Sequence, residues 1–148
     1  MIHHCLDSWT VLAWLDGDDP ATEVAQRVLD QERPAMSWIN LVEVDYRVRR
    51  QHGAAEADTT LARVRELVVE ELPGVVRMRA VAALKVEHPI ALADCFAIAT
   101  AAAHHATLIT GDPEIIDRAE QLPCAVTDAR VAPDASGVKG VTRPVDYR

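Results

Sequence analysis

The stretch PIALADCFAIATAAAHHATLITGDPE, Pro89 to Glu114, decides how this chain is read. Counting histidine as neutral, Asp94 is the only charged residue between Glu87 and Asp112. A lone carboxylate in an Ala-rich apolar helix is costly unless water, a cation or a strong donor reaches it. Ala106-Thr107-Leu108-Ile109-Thr110 then reads as a buried strand. The Thr-Gly-Asp-Pro that closes it is a turn signature, so Asp112 belongs just beyond a strand's C-terminal end.

Two similar outposts lie upstream. Asp7 ends the opening segment IHHCLD, and Glu43 punctuates the helix-like run WINLVEV. Four acids, each beside buried-looking sequence and far apart in the chain, point to one convergent site. Each also has a purely structural reading. Asp7 could cap a helix, Asp112 could form a turn, Asp94 could cap the helix after Ala93, and Glu43 could be an exposed helical acid.

The elements alternate on either side of this stretch. His3–Leu6 is a short first strand, and Ser8–Leu15 continues as a helix. After Gly17-Asp18-Asp19-Pro20, Asp19 is expected to cap a helix reaching Gln31, with Pro20 in its first position. Ala35–Trp38 is a second strand, followed by a helix from about Asn40 to His52 that stops at Gly53. Ala54–Glu71 reads as one helix, Val75–Met78 as a third strand, and Arg79–Glu87 as a helix. The Asp94 helix and the strand at 106–109 follow, then a short helix after Pro113 and a weakly marked strand at Cys124–Thr127. Such alternation predicts an α/β sandwich of three α/β/α layers around a mostly parallel sheet of about five strands. One domain spans 1–128; residues 129–148, with Pro133, Gly137, Gly140 and Pro144, form a peripheral or partly flexible tail.

In a parallel sheet, ligands gather outside the C-terminal strand ends where strand order reverses. Asp7, Glu43, Asp94 and Asp112 can meet there, with Ser8, Asn40 and Thr110 as neutral supporting groups. Acids packed together repel one another without a counter-ion, and hard oxygen donors suit Mg²⁺ or Mn²⁺. The pairs His3-His4 and His104-His105 do not make a zinc site, because neighbours on a strand or helix diverge. Cys5, Cys95 and Cys124 lack a C-x-x-C spacing and read as buried thiols.

Charge narrows the partners. The chain carries 23 acidic against 15 basic residues, a net charge of −8. That argues against nonspecific coating of nucleic acid and against direct DNA binding, but acids gathered around a cation leave a nuclease open. Basic residues cluster nonetheless, at Arg47, Arg49 and Arg50 and at Arg77, Arg79 and Lys85. No apolar run nears the roughly 20 residues of a membrane span. No signal segment precedes Asp7, and a cytoplasmic location is expected.

At these residues the chain resembles PIN-domain proteins of the VapC type, the toxin half of a bacterial or archaeal toxin–antitoxin pair. The likeness covers about positions 1–128 and is carried by ALADCFAIATAAAHHATLITGDPE, SWINLVEVDYRV and LDSWTVLAWLDGD. In that family the acids fall on Asp7, Glu43, Asp94 and Asp112, with Thr110 as the accompanying hydroxyl. Trp9 departs from the pattern, standing where a small polar residue is usual, and Glu114 and Asp117 are auxiliary acids outside the ligand set. The resemblance implies a Mg²⁺- or Mn²⁺-dependent endoribonuclease that leaves a 5′ phosphate and a 3′ hydroxyl. With no single-strand-binding aromatic motif in view, basic residues and RNA shape are expected to carry its recognition, and Arg47, Arg49, Arg50, Arg77, Arg79 and Lys85 are the candidate RNA contacts. The resemblance also implies a homodimer and capture by a VapB-type antitoxin, in a complex that can grow to higher order. An arginine from the antitoxin could enter the acidic pocket in competition with the cation.

Two other classes compete with this reading. One is a catalytically silent PIN-like interaction module, if Trp9 closes the pocket. The other is a receiver-type Mg²⁺-binding phosphoacceptor domain, which needs a lysine after a late strand. Lys85 and Lys139 are the only lysines, and neither follows an obvious strand.

Overall fold

The computed structural model describes residues 1–133 and the backbone of Val141 and Thr142. Its elements run β1 (His4–Leu6), α1 (Ser8–Asp16), α2 (Ala21–Gln31), β2 (Ala35–Ser37), α3 (Trp38–His52) and α4 (Ala54–Leu67). They continue as β3 (Val69–Glu71), α5 (Val75–Glu87), α6 (Leu92–Ala103), β4 (Thr107–Thr110), α7 (Pro113–Ile116), β5 (Ala125–Asp128) and β6 (Val141–Thr142). The sheet order is β3-β2-β1-β4-β5-β6. The first five strands are parallel, and β6 pairs antiparallel to β5. The expected three-layer α/β/α sandwich is therefore present.

Strand alternation creates the layers. Cys5, Ala35, Leu108 and Val126 turn to one face and pack with Val81 and Leu84 of α5, with α6 and with Ile115. Their neighbours Leu6, Met36 and Ile109 turn to the other face, against buried residues of α1, α2, α3 and α4. Helix α6 lies close to the sheet because its inward residues are mostly small: Ala97, Ala99 and Ala101 are all buried. Ala is also the best helix former, so packing and local preference agree there.

Three expectations are corrected. Val75–Met78 is the first turn of α5, not a strand; Val75, Val76 and Met78 are exposed, and the buried Val81 and Leu84 lie on the helix's inner side. The third strand is Val69–Glu71, which Ala54–Glu71 had absorbed as helix. It is an edge strand with β2 on one side only, so it need not be apolar, and Arg65 of α4 binds Glu70 at 2.6 Å. Finally, Asp19 does not cap α2. Pro20 occupies the N-cap, with no side-chain cap bond, and the helix begins one residue later than expected.

Of the tail, Ala129 is buried and its N–H donates to the Thr110 carbonyl at 2.8 Å. Residues 134–140 and 143–148, which include Gly137, Lys139, Gly140 and Pro144, lie outside the described residues.

Candidate functional site

Strand order reverses between β1 and β4: the chain leaves β1 for β2 on one side, and β4 fills the place on the other. The crevice above these two strands is where a parallel sheet offers its ligand site. Asp7 follows β1 directly and caps α1, accepting from the Thr10 N–H at 2.9 Å. Its other oxygen accepts from the Thr110 hydroxyl at the end of β4. Thr10 adds a second tie, donating through Oγ1 to the Ile109 carbonyl at 2.8 Å. Asp7 is thus clamped between β1, α1 and β4 and is only 1 % exposed. Burial pushes its carboxyl up to about 6, although the Thr110 and Thr10 bonds pull the other way.

Asp94 comes from the opposite face, in the first turn of α6. It is 7 % exposed, and its Oδ2 is buried without a hydrogen-bond partner. Burial, and then the charges of Asp112, Asp7, Glu43 and Glu114, raise its carboxyl to about 7. Asp112 caps α7, accepting from the Glu114 N–H at 2.9 Å, while its own N–H donates to Thr110 Oγ1 at 3.1 Å. Carboxylate oxygens of Asp94, Asp112 and Glu114 lie within 4.8 Å of one another. Glu114, which sequence reading set aside as auxiliary, joins this trio; Asp117 does not, and its charge is felt instead by Arg130.

The trio opens into a cleft of about 370 Å³. Ser8, Trp9, Leu12, Ala13 and Asp16 line it from α1, and Glu43 and Arg47 from α3. Asp18 and Ala91 complete the rim with the acids. Trp9 does not fill the cleft. Its indole lies against Gly111, so closely that a Cβ at that position would fall inside the ring system. A residue without a side chain is required there for that reason. Asn40 is not a lining residue; its Nδ2 donates to the Ala93 carbonyl at 3.2 Å, tying α3 to the start of α6.

Most of the candidate RNA contacts lie elsewhere. Only Arg47 lines the acid cleft. Arg49 pairs with Asp45 and Asp58, Arg50 stacks over Tyr46, and Arg77 binds Glu71 and Thr100. Lys85 donates to the Ile90 carbonyl, and Arg79 is exposed on α5.

The donor set fits a divalent cation of the Mg²⁺ class. All the donors are hard carboxylate oxygens, one of them buried and unpartnered, and burial together with the neighbouring acids raises the proton affinity of Asp94. The cysteines are buried thiols, as expected.

Solved structures with this fold include a VapBC2 complex from Rickettsia felis bound to a DNA fragment from its promoter. It matches with TM-score 0.68 and 18% identity, over 86% of this chain and 98% of that one. VapBC-1 from nontypeable Haemophilus influenzae matches with TM-score 0.67 and 22% identity, over 88% and 100%. VapC20 of Mycobacterium tuberculosis, described as a sarcin–ricin loop cleaving toxin, matches with TM-score 0.61 and 16% identity, over 74% and 89%. No curated protein sequence matches the chain. Residues 4–121 match the family described as PIN domain. The clamp on Asp7, the acid trio and strands β1 to β4 all lie within that span, and the chain belongs to the PIN domain family.

Proposed function

We propose that this PIN domain is a divalent-metal-dependent endoribonuclease and the toxin half of a VapBC-type toxin–antitoxin pair. The observation that carries the reading is the trio Asp94, Asp112 and Glu114, with the buried Oδ2 of Asp94 left without a partner. These three would hold Mg²⁺ or Mn²⁺, with Glu43 adding negative charge from the cleft wall. When bound, the ion supplies Lewis acidity toward a phosphoryl oxygen and lowers the pKa of water. Asp7 holds the base of the site: clamped by Thr10 and Thr110, it fixes β1 against β4 and thereby the turn that carries Asp112. Ser8 offers a hydroxyl at the cleft wall, and Arg47 offers the positive charge that a phosphate needs there. Asn40 orients the first turn of α6 and so the Asp94 carboxyl.

VapBC assemblies are what the R. felis and H. influenzae structures are named for, and a similar structure from Klebsiella pneumoniae is named as a toxin–antitoxin complex. By that likeness a VapB-type antitoxin would inhibit this chain, and promoter DNA would be contacted by the antitoxin. The −8 net charge accords with that division. A homodimer is part of the same proposal, supported by the exposed apolar side chains Leu72, Val75, Met78 and Val86 on and beside α5. An open cleft beside Trp9 favours an active enzyme over a silent module. Lys85, bonded to Ile90, does not serve a receiver-type phosphoacceptor site.

Purified chain, free of any partner, is expected to cleave RNA with Mg²⁺ or Mn²⁺ and to stop in excess chelator. Restoring the ion should restore cleavage. Cleavage at full rate in the chelator would overturn the metal-dependent reading.

A further inference from the structure

We propose that Trp9 is a stacking platform that holds an unpaired base of the RNA beside the acid trio. This rests on the ribonuclease reading and adds the residue that positions the substrate's base. The cleft has two kinds of wall. From α1, Trp9, Leu12 and Ala13 make an apolar wall at the i, i+3, i+4 spacing that shares one helix face. The remaining lining is charged, with Glu43 and Arg47 one turn apart on α3 and Asp94, Asp112 and Glu114 gathered beyond them. A nucleotide divides in the same way, into a flat apolar base and an anionic phosphate.

Trp9 is the one aromatic residue lining this cleft among the described residues. It stands two positions after Asp7, and its ring rests on Gly111, the residue before Asp112. A base stacked on the indole is therefore next to the acids, where its own or the adjoining phosphate would be held. Contact with Gly111 and with the core around α1 fixes the plane of the ring before any ligand arrives. That pre-organisation lowers the entropic cost of stacking. The volume, about 370 Å³, is on the scale of a small-molecule pocket, about 300–1,000 Å³, and suits one nucleotide. In an A-form duplex the base faces are covered by their neighbours, so only an unpaired residue can offer one.

The test uses the full chain with Trp14 and Trp38 replaced by Phe, leaving Trp9 as the only indole. With Ca²⁺ in place of Mg²⁺, indole fluorescence is followed as a mixed-sequence single-stranded oligoribonucleotide is added, and then the same strand annealed to its complement. The single strand should quench Trp9, and the duplex should not. In the otherwise wild-type chain, Trp9→Ala should weaken single-strand binding about tenfold or more, the scale of one lost base–aromatic stack. Trp9→Phe should recover most of that loss. If Trp9→Ala fails to fold, quenching and the Trp9→Phe comparison still decide. Binding without quenching, equal quenching by duplex, or unchanged binding and cleavage in folded Trp9→Ala would overturn the platform alone. A wild-type chain that neither binds nor cleaves RNA would overturn the ribonuclease reading, and the platform with it.

Discussion

Burial and four neighbouring acids disfavour the charge on Asp94, and this sets its pH behaviour. Its carboxyl binds a proton more tightly in the folded chain than at its ordinary value of 3.8, with the folded value raised to about 7. The resulting stabilisation is fully present below the ordinary aspartate range and is lost as pH rises through about 7. Asp7 acts with the same sign, through about 6. Metal-free protein should therefore unfold more easily at about pH 8 than at about pH 5, as read by thermal melts. Asp94→Asn should flatten that dependence, and Mg²⁺ should reverse it in the wild type but not in the variant. The same substitution should lower RNA cleavage by roughly two orders of magnitude or more, the scale of losing a charged group that serves the transition state. Wild-type turnover by a folded Asp94→Asn chain would place the chemistry elsewhere. Asp94 was visible in the sequence because it interrupts an uncharged run. Glu114 was not, because an acid in the first turn of a short helix looks like an ordinary exposed residue. The contact of Trp9 with Gly111 joins residues far apart in the chain, and no local spacing signals it.

At the scale of elements, sequence and structure agree where burial is two-sided and part where it is not. β1, β2 and β4 lie inside the sheet and read as short apolar runs. β3 lies at the edge, carries Glu70 and Glu71, and passes for the end of a helix. Val75 and Val76 have the composition of a strand, but their exposure on α5 leaves nothing for a sheet to pack against. Helix termini were easier to read when a backbone requirement was written in one residue: Gly17 closes α1 with φ 71°. One link between elements invites a direct test. Asn40 joins α3 to Ala93 through Nδ2, and its Oδ1 is buried without a partner. Asn40→Ala removes that bond between the two helices, so it should cost about 0.5–1.5 kcal/mol in chemical denaturation. Cleavage should fall as well, because the first turn of α6 loses its tether to α3. Unchanged stability would show that the tie contributes nothing.

For the whole molecule, the partners set the expectations. Co-expression with an adjacent small reading frame, followed by mass measurement on eluting complexes, should yield a homodimeric toxin bound to an inhibiting antitoxin. A strictly monomeric chain would remove the dimer. Neither copurification nor inhibition would remove the antitoxin. Among the described residues, no helix is long and apolar enough to cross a membrane. The parallel α/β architecture was legible because its signals repeat: apolar strand, helix, turn, several times over. The antiparallel β6 was not, since two residues in a polar, glycine-containing tail carry no periodicity.

The order of the strands also governs when the site comes into being. β1 emerges first but sits in the middle of the sheet, and the neighbour that clamps Asp7 is β4. Asp94, Asp112 and Glu114 all belong to the later part of the chain. During synthesis, a ribosome-bound fragment ending before Thr107 has neither the clamp nor two of the three gathered acids. On the proposed function, such a fragment is not yet a nuclease. Under that reading cleavage can begin only once β4 and the acids after it have been made, and the time spent on the residues before them is time in which an inhibitor can be supplied.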